Sequence, residues 1–224
     1  MGSQKSALVS WSSGKDSAWT LHRLQQSGQY KIAGLLTTLN SAFDRVAMHS
    51  TRHEVLAAQA AAAGVPLHTI PLPWPCSNEE YEAAMRKACD TAVASGVEAI
   101  AFGDLFLEDI RSYRIDRLRG TGLTPLFPVW GLDTHALLRE MIAAGVKTRI
   151  TCVDPKRMPR EFAGRDLDDA FLRDLPADVD PCGENGEFHT CVYDGPMFRQ
   201  AVPIESGEVV ERDGFVFADV RLKA

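Results

Sequence analysis

Short apolar runs alternate with longer stretches of helical periodicity through the first half of the chain. Residues 7–11, 32–38, 67–71 and 98–102 are apolar or rich in β-branched side chains and predict strands. Residues 16–27, 51–63 and 78–95 carry helical patterns, closed by Gly28, Gly64 and Gly96 respectively. The alanine-dominated run 57–63 reads as a plain helix of good formers. A repeated β–α order implies a parallel sheet with right-handed crossovers. Ligands of such sheets sit beyond the carboxyl ends of the strands. That rule gathers residues 12–17, Thr37-Thr38 and Gly103-Asp104 around one crevice. Pro125, Pro128 and Trp130-Gly131 mark a change of unit. Beyond them, residues 134–144 and 167–175 predict helices, 147–153 and 188–193 strands, and 202–222 a hairpin turning around Gly207 and Gly214. The fold class is α/β: a parallel-sheet, Rossmann-like domain over residues 1–130, followed by a smaller α+β domain over 131–224.

The first strand empties into Ser12-Ser13-Gly14-Lys15-Asp16-Ser17 and then a helix start. Such a junction is an anion site: unpaired N–H groups point outward, the helix dipole favours negative charge, and Lys15 adds a full positive charge. Ser12, Ser13, Gly14 and Ser17 are then donors to phosphate, and the first domain is read as nucleotide-binding. Asp16 and Ser17 are equally suited to capping the helix. A Walker A loop would need glycine at position 9 and Ser or Thr at position 16, where this chain has Val9 and Asp16. The dinucleotide fingerprint fails as well, because Gly14 stands alone. Asp104, at a strand's carboxyl end, is the better Mg²⁺ candidate, since hard cations take few carboxylates plus phosphate oxygens; its other reading is a cap for the helix that follows.

Residues 180–190, Asp-Pro-Cys-Gly-Glu-Asn-Gly-Glu-Phe-His-Thr, set two glycines among carboxylates, an amide and an imidazole. Such a loop suits proton transfer, Mg²⁺ ligation or ammonia handling, or else is an Asn-Gly turn whose acids are solvated.

Residues 12–17 resemble the PP-loop, S-G-G-x-D-S, of the ATP pyrophosphatases, with Ser13 in place of the first glycine and its hydroxyl an added donor. Together with Cys182-Gly-Glu-Asn-Gly-Glu-Phe-His-Thr190, the chain resembles the diphthine–ammonia ligase family, a branch of those enzymes. Met48-His49, Phe102-Gly103-Asp104, Arg111-Ser112-Tyr113-Arg114 and Pro128-Val129-Trp130-Gly131 fall in the same order. The resemblance implies an ATP-dependent ligase that adenylates a carboxylate-type acceptor, protein-bound or small, releases AMP and pyrophosphate, and amidates the adenylate with ammonia. It implies ATP and Mg²⁺ as cofactors, with Lys15, Asp104, Glu184 and Glu187 at the chemistry. Thr37, Met48, His49 and Gly103 join residues 12–17 around the nucleotide, and Arg111, Arg114, Asn185, Gly186 and His189 meet the substrate. Glu184 and Glu187 would orient the acceptor or deprotonate ammonium, and Arg114 would hold the acid substrate. Two other classes are a nucleotide-binding sensor without turnover and a sulfur- or tRNA-modifying PP-loop enzyme. The sensor has no need of the acids in 182–190, and the second would want paired cysteines or a basic surface.

A formal net charge of −6 argues against a broad nucleic-acid surface. The run Arg111, Arg114, Arg117, Arg119 is either a local anion clamp or the solvated face of a helix. No apolar run approaches the ~20 residues that span a bilayer, and no signal peptide precedes the first strand, so a cytoplasmic protein is expected. Met1-Gly2 with Ser6 matches a short myristoylation pattern, which is not expected to be used so close to a buried strand. Cys76, Cys89, Cys152, Cys182 and Cys191 form no C-x-x-C pair and no zinc spacing, and Cys182 reads as a small buried hydrophobe. His49 and His53, four apart, lack a third metal ligand nearby. A homodimer is compatible with all of this.

Overall fold

The computed structural model describes residues 4–46 and 49–223. Met1, Gly2 and Met48 therefore lie outside the described residues. The first sheet is built from β1 (Lys5–Ser10), β2 (Tyr30–Asn40), β3 (Leu67–Leu72), β4 (Ala99–Ala101) and β5 (Thr124–Leu126), in the order β3-β2-β1-β4-β5. Every pairing in it is parallel, the α/β arrangement that the alternation of apolar runs and helices predicts. The helices that cross between these strands are α1 (Lys15–Ser27), α2 (His53–Ala63), α3 (Asn78–Ala94) and α4 (Glu108–Leu118). The strand order runs one way from β1 through β2 to β3 and the other way from β4 to β5. Beside the carboxyl ends of β1 and β4 the crossovers part, and this is where such sheets open a crevice.

Two elements of this unit escape the hydrophobic pattern. In α4 the one buried residue is Leu118, so charge masks its period. β5 is three residues long and contains Pro125, a residue tolerated at a sheet edge, where no N–H is needed on the open side.

The second sheet is antiparallel, in the order β7-β6-β9-β8, from β6 (Lys147–Val153), β7 (Phe188–Asp194), β8 (Ile204–Arg212) and β9 (Phe215–Leu222). It is flanked by α5 (Thr134–Ala143) and the short α6 (Asp169–Asp174). The β8–β9 hairpin turns at Gly214, whereas Gly207, expected as a second turn, lies within β8 beside a register shift. A Cβ at Gly207 would lie 2.8 Å from Asp219 Oδ2, so the strand has no side chain there because β9 fills the space.

One apolar core joins the two sheets. Ala18, Trp19, Leu21 and Leu24 of α1 belong to the same buried cluster as Leu137 and Met141 of α5, Ile150 of β6 and Val192 of β7. Gln59 is a buried polar exception inside the alanine run of α2. It accepts from Trp11 Nε1 at 2.9 Å and donates to the carbonyls of Ser13 at 3.1 Å and Val192 at 2.6 Å. That amide ties the loop after β1 to β7. Gln59→Leu takes this partner from the buried Trp11 N–H and the Val192 carbonyl, at roughly 1–3 kcal/mol each, while Ser13 O keeps its bond from Val192 N–H. We expect a loss of about 2–4 kcal/mol, read from the urea midpoint; a loss below about 0.5 kcal/mol would contradict it.

Candidate active site

The loop 12–17 starts from Trp11, whose N–H bonds Leu36 O at 2.7 Å. Ser13 takes φ +73°, the left-handed region that a glycine enters freely and a serine does not. Its hydroxyl bonds Thr51 Oγ1 at 2.7 Å and is fully buried. The added donor expected to reach phosphate is therefore spent on holding the loop. Gly14 stands at the cap position of α1, with no side-chain acceptor for the first-turn amides. The positive end of α1 borders the crevice through Lys15, Asp16 and Ser17. Gly103 follows β4; a Cβ there would lie 2.8 Å from the Asp16 carbonyl carbon. Only glycine lets the end of β4 pack against the first turn of α1 in this way.

The loop 182–190 closes the crevice from the second sheet. Thr190 Oγ1 accepts the Lys15 N–H at 3.2 Å, and Val192 N–H donates to Ser13 O at 2.9 Å. Lys15 Nζ, 2 % exposed, donates to Asp16 Oδ2 at 2.8 Å and to the carbonyl of Cys182. Burial works to depress the Lys15 ammonium, but Asp16, Cys182 and Glu184 together outweigh it and hold the group above its ordinary value. Burial lifts the Asp16 carboxyl above its own ordinary value against that same ion pair. Asp16 Oδ1 is buried with no hydrogen-bond partner.

Two chambers meet here. The polar one, about 220 Å³, is bounded by Ser12, Lys15, Asp16, Ser17, His49, Gly103, Asp104, Arg114, Glu184, Gly186 and His189 of the expected residues, and also by Cys182 and Thr190. The apolar one, about 240 Å³, is lined by Thr37, Ile70, Met85, Cys89, Ile100, Tyr81 and Arg117. Ser10, Ser12, His49, Phe102 and Arg114 border both. Thr37 Oγ1 is buried there without a partner.

Glu184 Oε1 accepts the Leu105 N–H at 2.7 Å, bridging the loop to the end of β4. Burial pushes its carboxyl up to about 7, against the pull of that amide and with help from Asp16. Asp104 Oδ2 lies 3.4 Å from Arg114 Nε, and the cap of α4 is Leu107, not Asp104. Arg114 lies over the Phe102 ring at 4.8 Å. His49 Nδ1 is 3.0 Å from Thr190 O; a carbonyl only accepts, so Nδ1 carries the proton and Nε2 its lone pair. His49 and His189 lie 4.7 Å apart, ring to ring. Burial holds them down to about 4 and about 3.

Five of the expected residues stand away from the chambers. Ser13 and Gly14 shape the loop from behind. Arg111 lies over Trp130 at 4.6 Å and Phe127 at 5.4 Å. Glu187, 2 % exposed, accepts from Asp180 N–H at 3.3 Å and Asn185 Nδ2 at 3.0 Å. Both Glu187 and Asn185 thus stiffen the 182–190 loop. Of the arginine run, Arg117 pairs with Glu82 at 2.7 Å and Arg119 with Asp116 at 2.9 Å, well exposed. Cys182 is buried, and burial pushes its thiol well above the ordinary range. Thr190, Cys182 and Gln59 were not singled out from sequence as site residues. Gln59 carried a signal nonetheless, a lone amide inside an alanine run.

These titrations oppose one another in stability. Unfolded, the two imidazoles take up protons near 6.5 that the fold refuses, so their contribution is present above that pH and lost as pH falls toward 4 and 3. Glu184 has the opposite sign: the fold keeps a proton that the unfolded chain gives up near 4.5, so its contribution is lost as pH rises through about 7. We expect His189→Asn to flatten the fall of Tm between pH 6.5 and 4, and Glu184→Gln to steepen it. Parallel Tm curves for all three proteins would contradict these assignments.

An open parallel sheet with a Gly-capped anion loop at its switch point, and carboxylates on the same chamber, defines a nucleotide-dependent enzyme. The family model of the diphthamide synthase N-terminal domain matches residues 4–125, and that of the C-terminal domain matches residues 133–221. The chain belongs to the diphthamide synthase family, and its activity class is that of an ATP-dependent, amide-forming ligase. Relatives named diphthine–ammonia ligase include the Bos taurus and Homo sapiens proteins, each 28% identical over 238 residues, covering 96% of this chain and 87% of theirs. The Danio rerio protein of that name is 25% identical over 230 residues, covering 93% of this chain and 90% of its own. Among the described residues, no helix is long and apolar enough to cross a membrane.

Proposed function

We propose that the chain binds ATP with its adenosine in the apolar chamber and its phosphates against residues 12–17, and amidates a carboxylate-type acceptor with ammonia. One observation carries this reading: the loop after β1, the end of β4 and the loop 182–190 bound a single chamber, with Lys15 bridging the first and the last. A carboxylate oxygen of the acceptor attacks the α-phosphorus and pyrophosphate leaves. Ammonia then attacks the acyl carbon, AMP leaves, and Glu184 takes the proton. Lys15 and the first-turn amides of α1 receive charge on the phosphates, and Arg114, at the junction of the chambers, holds the acceptor carboxylate. Diphthine, the acceptor in the relatives' name, is the acceptor we assign.

No three His, Cys, Asp or Glu side chains among the described residues group as a metal cage. The unpartnered Asp16 Oδ1 and the Asp104 carboxylate nevertheless fit Mg²⁺, which takes one or two carboxylates and completes its shell with phosphate and water. Those two side chains would hold it, and its charge would offset that of the phosphates. Residues 1–130 would supply the nucleotide site and 131–224 the acceptor loop. Five free cysteines suit a reducing, cytoplasmic setting.

The test is product analysis with MgATP, ammonium and a diphthine-bearing acceptor. AMP, pyrophosphate and an amidated acceptor are expected. ADP with phosphate would overturn the reading, and ATP bound without cleavage would favour the sensor.

A further inference from the structure

After β2 the chain makes a loop whose base is pinned by single antiparallel bridges, Asn40 to Arg45 and Arg45 to Arg52. Val46 and His49 stand inside it and wall the cleft. The bridge sets two guanidinium-bearing residues side by side, and like charges so placed repel. The loop also holds Asp44 at φ +50° and Ser50 at φ +56°, left-handed conformations that persist in non-glycine residues only where the surroundings over-determine them. Backbone bonds within the loop, Ser50 N–H to Val46 O at 3.0 Å and His53 N–H to Asp44 O at 3.1 Å, set these turns, and one carboxylate from the other sheet ties the two arginines at its base. Asp219 of β9 accepts from Arg45 Nη1 at 2.8 Å, Arg52 Nε at 3.1 Å and Arg52 Nη2 at 2.7 Å. Arg45 Nη1 reaches on to the Ser50 carbonyl at 2.7 Å. A third guanidinium, that of Arg221, stands 3.9 Å from Asp219. Gly207 leaves the room that Asp219 occupies.

We propose that Asp219 is a positioning residue for nucleotide binding: from the second sheet it clamps the loop that walls the cleft, and so sets the affinity for ATP. The clamp rests on the reading that the cleft binds ATP. It carries charge across the boundary between the sheets, where apolar packing alone has no directional preference. Without Asp219 the two arginines face each other uncompensated, the loop base opens, and His49 leaves its bond to Thr190.

The test is calorimetric titration of MgATP into wild type, Asp219→Asn, Arg52→Gln and the double variant. Asp166→Asn serves as the control, because it breaks an equally close pair, Arg149 Nε to Asp166 at 2.7 Å, in the same half of the molecule but away from the loop. Asp219→Asn and Arg52→Gln should each raise the Kd by about tenfold, and the double variant should be no worse than Asp219→Asn alone. Asp166→Asn should stay within about twofold of wild type. Wild-type affinity in Asp219→Asn overturns the inference, as does an equal loss in Asp166→Asn, which would make the effect one of general stability. If wild type itself binds no ATP, the reading of the cleft fails and this inference falls with it. Hydrogen exchange at residues 49–52 separates the two failures: exchange no faster in Asp219→Asn than in wild type overturns the clamp whatever the cleft binds.

Discussion

Lys15→Ala is expected to weaken ATP binding by roughly 30- to 1000-fold, a loss of about 2–4 kcal/mol. The ammonium is buried and held charged by Asp16, so it needs no reorganisation or desolvation before it meets a phosphate. Charge-assisted hydrogen bonds in such sites are about twice as strong as neutral ones. The substitution also leaves the partly buried Asp16 without its cation, a cost that falls on the fold rather than on the ligand. Comparing Lys15→Met/Asp16→Asn with Asp16→Asn alone separates the two effects, since both lack the Asp16 carboxylate that would hold Mg²⁺ and they differ only in the ammonium. Calorimetric titration of MgATP measures each. A Kd within about threefold of wild type for Lys15→Ala would remove Lys15 from the phosphate site.

Glu184→Gln should retain ATP affinity within a few-fold and lose turnover by about 10²–10⁴, the usual worth of a positioned general base. Its carboxyl, pushed up to about 7, is protonated below that pH and is able to take a proton above it. At constant free ammonia, the wild-type rate should therefore rise through about pH 7, and the Gln variant should show no such limb. The amide keeps an oxygen to accept the Leu105 N–H, so the loop stays docked. A Gln variant with the wild-type pH profile would assign the base to another group.

The alternation of strand and helix and the anion loop were legible because both are local: apolar periodicity and a Gly-Lys-Asp run at a strand end need no tertiary information. α4 and β5 were not. A helix that buries one leucine has no apolar stripe, and a three-residue strand is defined by its neighbour more than by its own residues. Direction was also hidden. Residue type marked Ser13 and Glu187 as polar groups near the chemistry, but not that Ser13 points back to Thr51 and Glu187 stiffens the loop from within. Asp219 lies 167 residues from Arg52 in the chain, and nothing in its local pattern marks it as a partner for that loop.

The two faces of α1 need cover from different sheets, and this sets how the chain is inherited and cut. Severed after β5, the first half would strip buried α1 residues such as Trp19 of the α5 and β7 side chains in their shared core, and the second half would lose the surface on which β7 rests. Neither piece is a module that recombination is free to move to another protein alone. Insertions are tolerated at the outer hairpin near Gly214, while the short connection between β5 and α5 admits few, because it holds two walls of one room at their fixed spacing.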